Sequence, residues 1–142
     1  MTRRSLPADV RLLEVPELQN LQMPFKTAVR QHADALIALP SSRMDIHLQR
    51  IADFAEKSRL PAIYPELGWV DAGGFISYGP SLPDLSRRLA FYVHEVLHGF
   101  QPGELPVQQA THFELGINLK AAKQIGLAIP PNVLARADRV IR

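Results

Sequence analysis

The stretch "RLPAIYPELGWVDAGGFISYGP", residues 59–80, decides the fold class. Within it "PAIY" (Pro61–Tyr64) reads as a short strand and Glu66–Ala72 as a brief helix closed by Gly73 and Gly74. "FISYG" (Phe75–Gly79) reads as the next strand. No Asn-Gly or similar two-residue hairpin signal separates the strands, so the chain must cross over through the helix, which makes the two strands parallel.

The same alternation extends upstream. Val10–Val15 reads as a strand, and Phe25, Ala28, Val29 and His32 fall at helical spacing, with Pro24 in the first turn, where a missing N–H does no harm. "ALIAL" (Ala35–Leu39) is a continuous apolar run bounded by Pro40, Ser41 and Ser42, the pattern of a strand buried on both faces. Met44, Leu48, Ile51 and Ala55 form a helical stripe that runs to Arg59. Downstream come a long helix over Leu82–Leu97 and a Pro/Gly-rich connector, "GFQPGELP". An alternating segment "HFELGIN" follows, read as a half-covered strand, and then a last helical pair broken at Pro130 and Pro131. The expected class is α/β, a mostly parallel sheet with flanking helices.

At 142 residues the chain suits one domain, and with 46% hydrophobic and 21% charged residues it is too apolar to be disordered. Sixteen basic residues against fourteen acidic leave a net charge of +2, and no basic patch is interleaved with aromatics, so a nucleic-acid partner is set aside. With no cysteine, disulfides and thiolate metal sites are excluded. The opening "MTRRSLPADVRLLEVPEL" is basic but lacks the apolar core of a secretory signal, which makes the chain cytoplasmic as written.

His94-Glu95-Val96-Leu97-His98 matches the H-E-x-x-H pattern of zinc peptidases, in which two imidazoles one turn apart hold the metal and the carboxylate serves as general base. On a helical projection Leu82, Leu85, Leu89, Val93, Val96 and Phe100 form the apolar stripe expected to face the core, with His94 and His98 about 140° to 180° from its centre. A third ligand is wanting: Glu104 stands six residues after His98, and Glu114 falls in a predicted strand. The two histidines therefore read as part of a solvated face, and zinc peptidase remains the enzyme alternative.

A broader resemblance rests on several separated blocks. They are Leu60-Pro61-Ala62-Ile63-Tyr64, Ala72-Gly73-Gly74, Ser77-Tyr78-Gly79-Pro80, Leu105-Pro106-Val107-Gln108, and Phe113-Glu114-Leu115 with Ile117-Asn118-Leu119-Lys120, Ala122-Lys123, Gly126-Leu127 and Ile129-Pro130. In this order they resemble the carboxyl-terminal part of the ABC transporter substrate-binding protein family with a type I periplasmic-binding fold. Ala33–Pro40 also looks like the family, which extends the resemblance from about Val10 onward. It implies a solute receptor rather than an enzyme, with no cofactor, a periplasmic setting for the family and an ABC permease as partner. It further implies a two-lobed clamshell, of which residues 1–142 would form a single partial domain: the second lobe without its opening strand, the first lobe absent. The long helix would then lack its packing partner, so self-association through Leu82–Phe100 is expected. A free-standing α/β ligand-sensing domain is the third reading.

In open parallel sheets ligands bind beyond the carboxyl ends of the strands. That rule selects Ser41, Ser42 and Arg43, then Tyr64 and Glu66, then Ser77, Tyr78 and Gly79, with Trp69 and Asp71 near by on the short helix. Hydroxyls and an aromatic face suit a small polar or aromatic solute, and Arg43 suits a carboxylate.

Overall fold

A computed structural model describes residues 8–15 and 20–142; residues 1–7, part of the stretch read above for a signal segment, lie outside the described residues, as do residues 16–19. The order of elements is α1 (Gln22–Arg30), β1 (Leu36–Ile37), α2 (Ser42–Asp45), α3 (Leu48–Lys57), β2 (Ala62–Tyr64), α4 (Leu67–Asp71), β3 (Ile76–Pro80) and α5 (Leu82–Leu97). After a 3-10 turn at Pro102–Glu104 come β4 (Phe113–Asn118), α6 (Leu119–Gln124), α7 (Pro131–Leu134) and β5 (Arg139–Ile141). Among the described residues no helix is long and apolar enough to cross a membrane.

The five strands form one sheet in the order β1-β2-β3-β4-β5. The β1–β2, β2–β3 and β4–β5 pairs are parallel, and β3–β4 is antiparallel. This is the α/β, mostly parallel sheet expected from the strand–helix–strand reading. The antiparallel pair arises because the chain leaves β3 through α5 and the connector and returns from the same end, with the Ser81 N–H donating to the His112 carbonyl at 3.0 Å.

Directly paired residues share a sheet face. Leu36, Ala62, Tyr64, Ser77 and Gly116 therefore lie on one side, and Ile37, Ile63, Ile76, Tyr78, Leu115 and Ile117 on the other. The core forms on the first side, where Leu21, Ile51, Ala55, Ala62, Tyr64 and Trp69 pack together with Phe25, Leu36, Leu48 and Phe54 around them. Tyr64 stacks on Trp69 with ring centroids 4.8 Å apart. Just beyond α3, Arg59 is held at φ 52° while the Leu60 N–H reaches back to the Ala55 carbonyl. Just beyond α4, Gly73 takes φ 101°, a conformation that L side chains rarely adopt.

Several expectations are corrected. Val10–Val15 is irregular rather than a strand, with Val10 80% and Leu12 76% exposed, because no strand among the described residues pairs with its backbone. β1 is an edge strand, and Ile37 is 71% exposed, so the run Ala35–Leu39 is covered on one face only. The stripe Met44–Ala55 is split at Ile46 and His47 into α2 and α3, and His32 lies beyond α1 at φ 55°. β4 does not alternate: Phe113 is exposed, whereas Gly116, Ile117 and Asn118 are all buried, because its carboxyl end runs between β3 and β5 into the centre of the sheet. β5 extends the parallel pairing, anchored by Asp138, whose N–H donates to the Leu115 carbonyl and whose carboxylate accepts from the Leu115 N–H at 2.8 Å. Asn118 caps α6 by accepting from the Ala121 N–H at 3.1 Å.

α5 has the predicted limits but not the predicted surroundings. None of its residues is buried, and Leu82, Leu89, Val93, Val96 and Phe100 are 41% to 65% exposed, so the apolar stripe faces no core among the described residues. The half-covered side is the one carrying Arg88 and Tyr92. Arg88 donates to Asp84 (3.0 Å), Gln108 (3.3 Å) and Thr111, and the Tyr92 hydroxyl donates to the Pro106 carbonyl. These bonds lash the returning connector along the polar flank of the helix.

Candidate functional site

The parallel strands β1, β2 and β3 all end at one edge of the sheet, and the residues selected from the sequence divide there by burial. Ser41 is half-buried; Ser42 and Arg43 are exposed at the start of α2. Glu66 is half-buried ahead of α4, and Tyr78 is 55% exposed on β3. These five are accessible at the edge.

Tyr64, Ser77 and Gly79 are not. Tyr64 is 2% exposed, and its burial pushes the phenol pKa well above the ordinary value. Ser77 is 0% exposed beneath α4, with no partner for its hydroxyl among the described residues, and side-chain direction explains its burial: it pairs with Tyr64 and Gly116 on the face that α4 covers, whereas Tyr78 points the other way. Gly79 is buried where the ends of β2 and β3 meet. A Cβ there would lie 1.7 Å from the Pro65 carbonyl oxygen, so its role is to let two backbones touch. The structure places all three in the interior. Trp69 is likewise core at 1% exposure, and Asp71 is engaged by Arg139 at 3.1 Å.

The sequence reading missed Phe113. It was assigned to a strand without a site role, yet it is 44% exposed, and its ring stacks on that of Tyr78 with centroids 5.6 Å apart and planes at 22°. The signal lay in the sheet register, which sets Phe113 opposite Pro80 and diagonal to Tyr78; sequence alone does not show that register.

His94 and His98 are exposed on α5 with ring centroids 4.0 Å apart, and one imidazole nitrogen of His98 lies 2.8 Å from the His94 carbonyl. Among the described residues no group of three or more His, Cys, Asp or Glu side chains could hold a metal ion. A recess lined by Ala52, Ala55, Ala62, Tyr64, Ala121 and Ile125 lies on the helical side of the sheet and has room for about one water.

The mostly parallel α/β sheet is an architecture in which ligands, where they bind, sit beyond the carboxyl ends of the strands. The family is narrower than that architecture: the model for ABC transporter substrate binding proteins matches residues 8–141, and the chain belongs to this family. No curated protein matches. Among solved structures, a conserved domain protein from Vibrio cholerae is similar at 29% identity and TM-score 0.76, over 84% of this chain and 40% of that one. An ABC domain from Streptococcus pneumonia in complex with L-Trp is similar at 24% identity and TM-score 0.78, over 91% and 44%. The ligand-free, open structure of a substrate binding protein with adhesive properties from Clostridium difficile is similar at 18% identity and TM-score 0.63, over 87% and 41%. The last two share the fold. The chain spans less than half the length of each of the three structures.

Proposed function

We propose that the chain is a solute-binding component of an ABC-type uptake system. In this reading the carboxyl edge of the sheet is one wall of a site for a small polar or aromatic solute, which is passed to a membrane permease. The observation that carries the reading is the gathering of Ser41, Ser42, Arg43, Glu66 and Tyr78 at that edge, in a chain of a substrate-binding family. These residues bind and orient, and no bond is made or broken. The streptococcal neighbour, solved with L-Trp, supports an amino acid as the kind of solute to test first.

One wall has an energetic consequence. Tight small-molecule sites bury about 70–90% of the ligand surface, and a ligand held on one side still loses its translational and rotational freedom. The isolated chain therefore binds in the millimolar range, and affinity rises when a second wall closes over the solute. Saturation-transfer NMR with a panel of amino acids, short peptides and sugars tests this, with at least one class expected to give a weak, saturable signal. Silence from the whole panel refutes the function. A micromolar hit abolished by Tyr78→Ala refutes the one-wall reading, since it would mean the site is complete in this chain.

A further inference from the structure

The solute-binding reading leaves the H-E-x-x-H motif of α5 without a role. We infer that His94 and His98, on the last turn of this helix, form a two-histidine site for a divalent transition-metal ion of the zinc and copper class. The inference stands apart from solute binding. Residues four apart on a helix share one face, with Cβ atoms about 5–6 Å apart. Here the two imidazoles already meet, with ring centroids 4.0 Å apart and planes at 41°, and both side chains are exposed. A tetrahedral ion holding two imidazole nitrogens at about 2.0–2.1 Å sets them about 3.4 Å apart, which side-chain rotation reaches from this pair without moving the backbone.

The tautomer of His98 is set in the sense a metal requires. Its Nδ1 lies 2.8 Å from the His94 carbonyl oxygen. A carbonyl oxygen only accepts, so Nδ1 carries the proton, and the lone pair of the neutral ring is on Nε2. Metal-binding histidines are oriented in this way, the second ring nitrogen donating to a carbonyl or carboxylate. The charges agree. The pair ends a sixteen-residue helix, where the aligned carbonyls favour a cation. Arg87, two turns back on the same face, has its guanidinium bonded to the Pro83 carbonyl at 3.2 Å, away from the pair. Glu95 is half-buried on the flank of Arg88 and Tyr92, so the histidines are the protein's two ligands and water takes the remaining positions. Such a site holds an ion and lacks the third ligand of a peptidase centre. Imidazole selects zinc and copper over magnesium and calcium, which prefer oxygen. A bound ion clips the final turn of α5 just before Gly99, at φ 99°, turns the chain into the connector. His32, His47 and His112 lie outside the helices, so none has an imidazole one turn away on a helical face.

The test is calorimetric titration of the full chain with zinc, copper, magnesium and calcium chlorides in a non-coordinating buffer, together with nitrogen NMR of the histidine rings during the zinc titration. Zinc is expected to bind one ion per chain and copper more tightly, with magnesium and calcium giving no heat of binding. Zinc should move the Nε2 resonance of His98 and slow amide exchange in the last turn of α5. His94→Ala and His98→Ala, both at exposed positions, should each weaken zinc binding by about tenfold or more with a preserved amide spectrum, and His112→Ala should leave it unchanged. Zinc binding that survives the double substitution, or that falls equally with His112→Ala, would assign the ion to scattered surface groups and overturn the site. A shift at Nδ1 of His98 in place of Nε2 would overturn the tautomer argument and the site with it, as would the absence of any zinc or copper binding.

Discussion

Ser77→Ala is expected to stabilise the protein. The Ser77 side chain is 0% exposed, and its hydroxyl has no hydrogen-bond partner among the described residues. A Cβ built on Gly116 would come within 2.6 Å of that oxygen, 2.7 Å of Leu67 and 3.2 Å of Val70, which shows how closely α4 and β4 pack around it. An orphaned buried hydroxyl costs about 1–3 kcal/mol of lost hydration. Deleting one oxygen forfeits a handful of dispersion contacts at about 0.1–0.2 kcal/mol each. The first effect is larger, so the net gain is about 0.5–2 kcal/mol. For a chain of 142 residues this raises the thermal midpoint by roughly 2–8 °C and the urea midpoint in proportion, with an unchanged m-value. Calorimetry and urea titration of both proteins provide the measurement. A loss of about 1 kcal/mol or more would refute the reasoning, because it would mean that the hydroxyl has a partner and that Ser77 does polar work inside the sheet.

The exposed stripe of α5 should drive self-association, so the mass of the wild type by light scattering should rise with concentration. Leu89→Glu with Val93→Glu, two side chains worth about 1.5–3 kcal/mol each when buried, should weaken association by about a hundredfold or more and hold the chain near 15.9 kDa; equal behaviour of the two proteins counts against the stripe. The Tyr64 phenol, its pKa raised by burial, should stay protonated in the folded state, while in the unfolded chain it ionises near pH 10. Its contribution to stability is therefore whole below about pH 10 and is lost as the pH rises from there toward the folded-state pKa, so alkaline unfolding of the wild type should be steeper than that of Tyr64→Phe. Matching pH profiles would show that Tyr64 reaches solvent.

Local pattern carried the sequence reading where an element's neighbours are close in the chain. The βαβ unit of residues 59–80 was legible because its two strands flank the helix that packs on them, and α5 was legible because sixteen residues of unbroken helical spacing leave no other conformation. Where the neighbour is distant, the pattern misled. β5 is three residues long, below any readable period, and exists because Gly116, Ile117 and Asn118 offer it a ladder. Val10–Val15 carries strand residues and finds no ladder among the described residues.

The candidate site divides in the same way. That the carboxyl ends of β1, β2 and β3 share one edge followed from the order of elements, and Ser41, Ser42 and Tyr78 are accessible there. Which side chains at those ends meet solvent did not follow, because strand neighbours point to opposite faces and α4 packs over the one that carries Ser77. Ser77 and Tyr78 are adjacent in sequence; the packing of α4 puts one in the dry interior and leaves the other open. Phe113 joins Tyr78 only through the antiparallel register of β3 and β4, a contact across 35 residues of chain that no local period encodes. The sequence by itself determined the α/β class and the common edge at which the parallel strands end. The tertiary structure decided which residues reach it, because face and register are set by partners far along the chain.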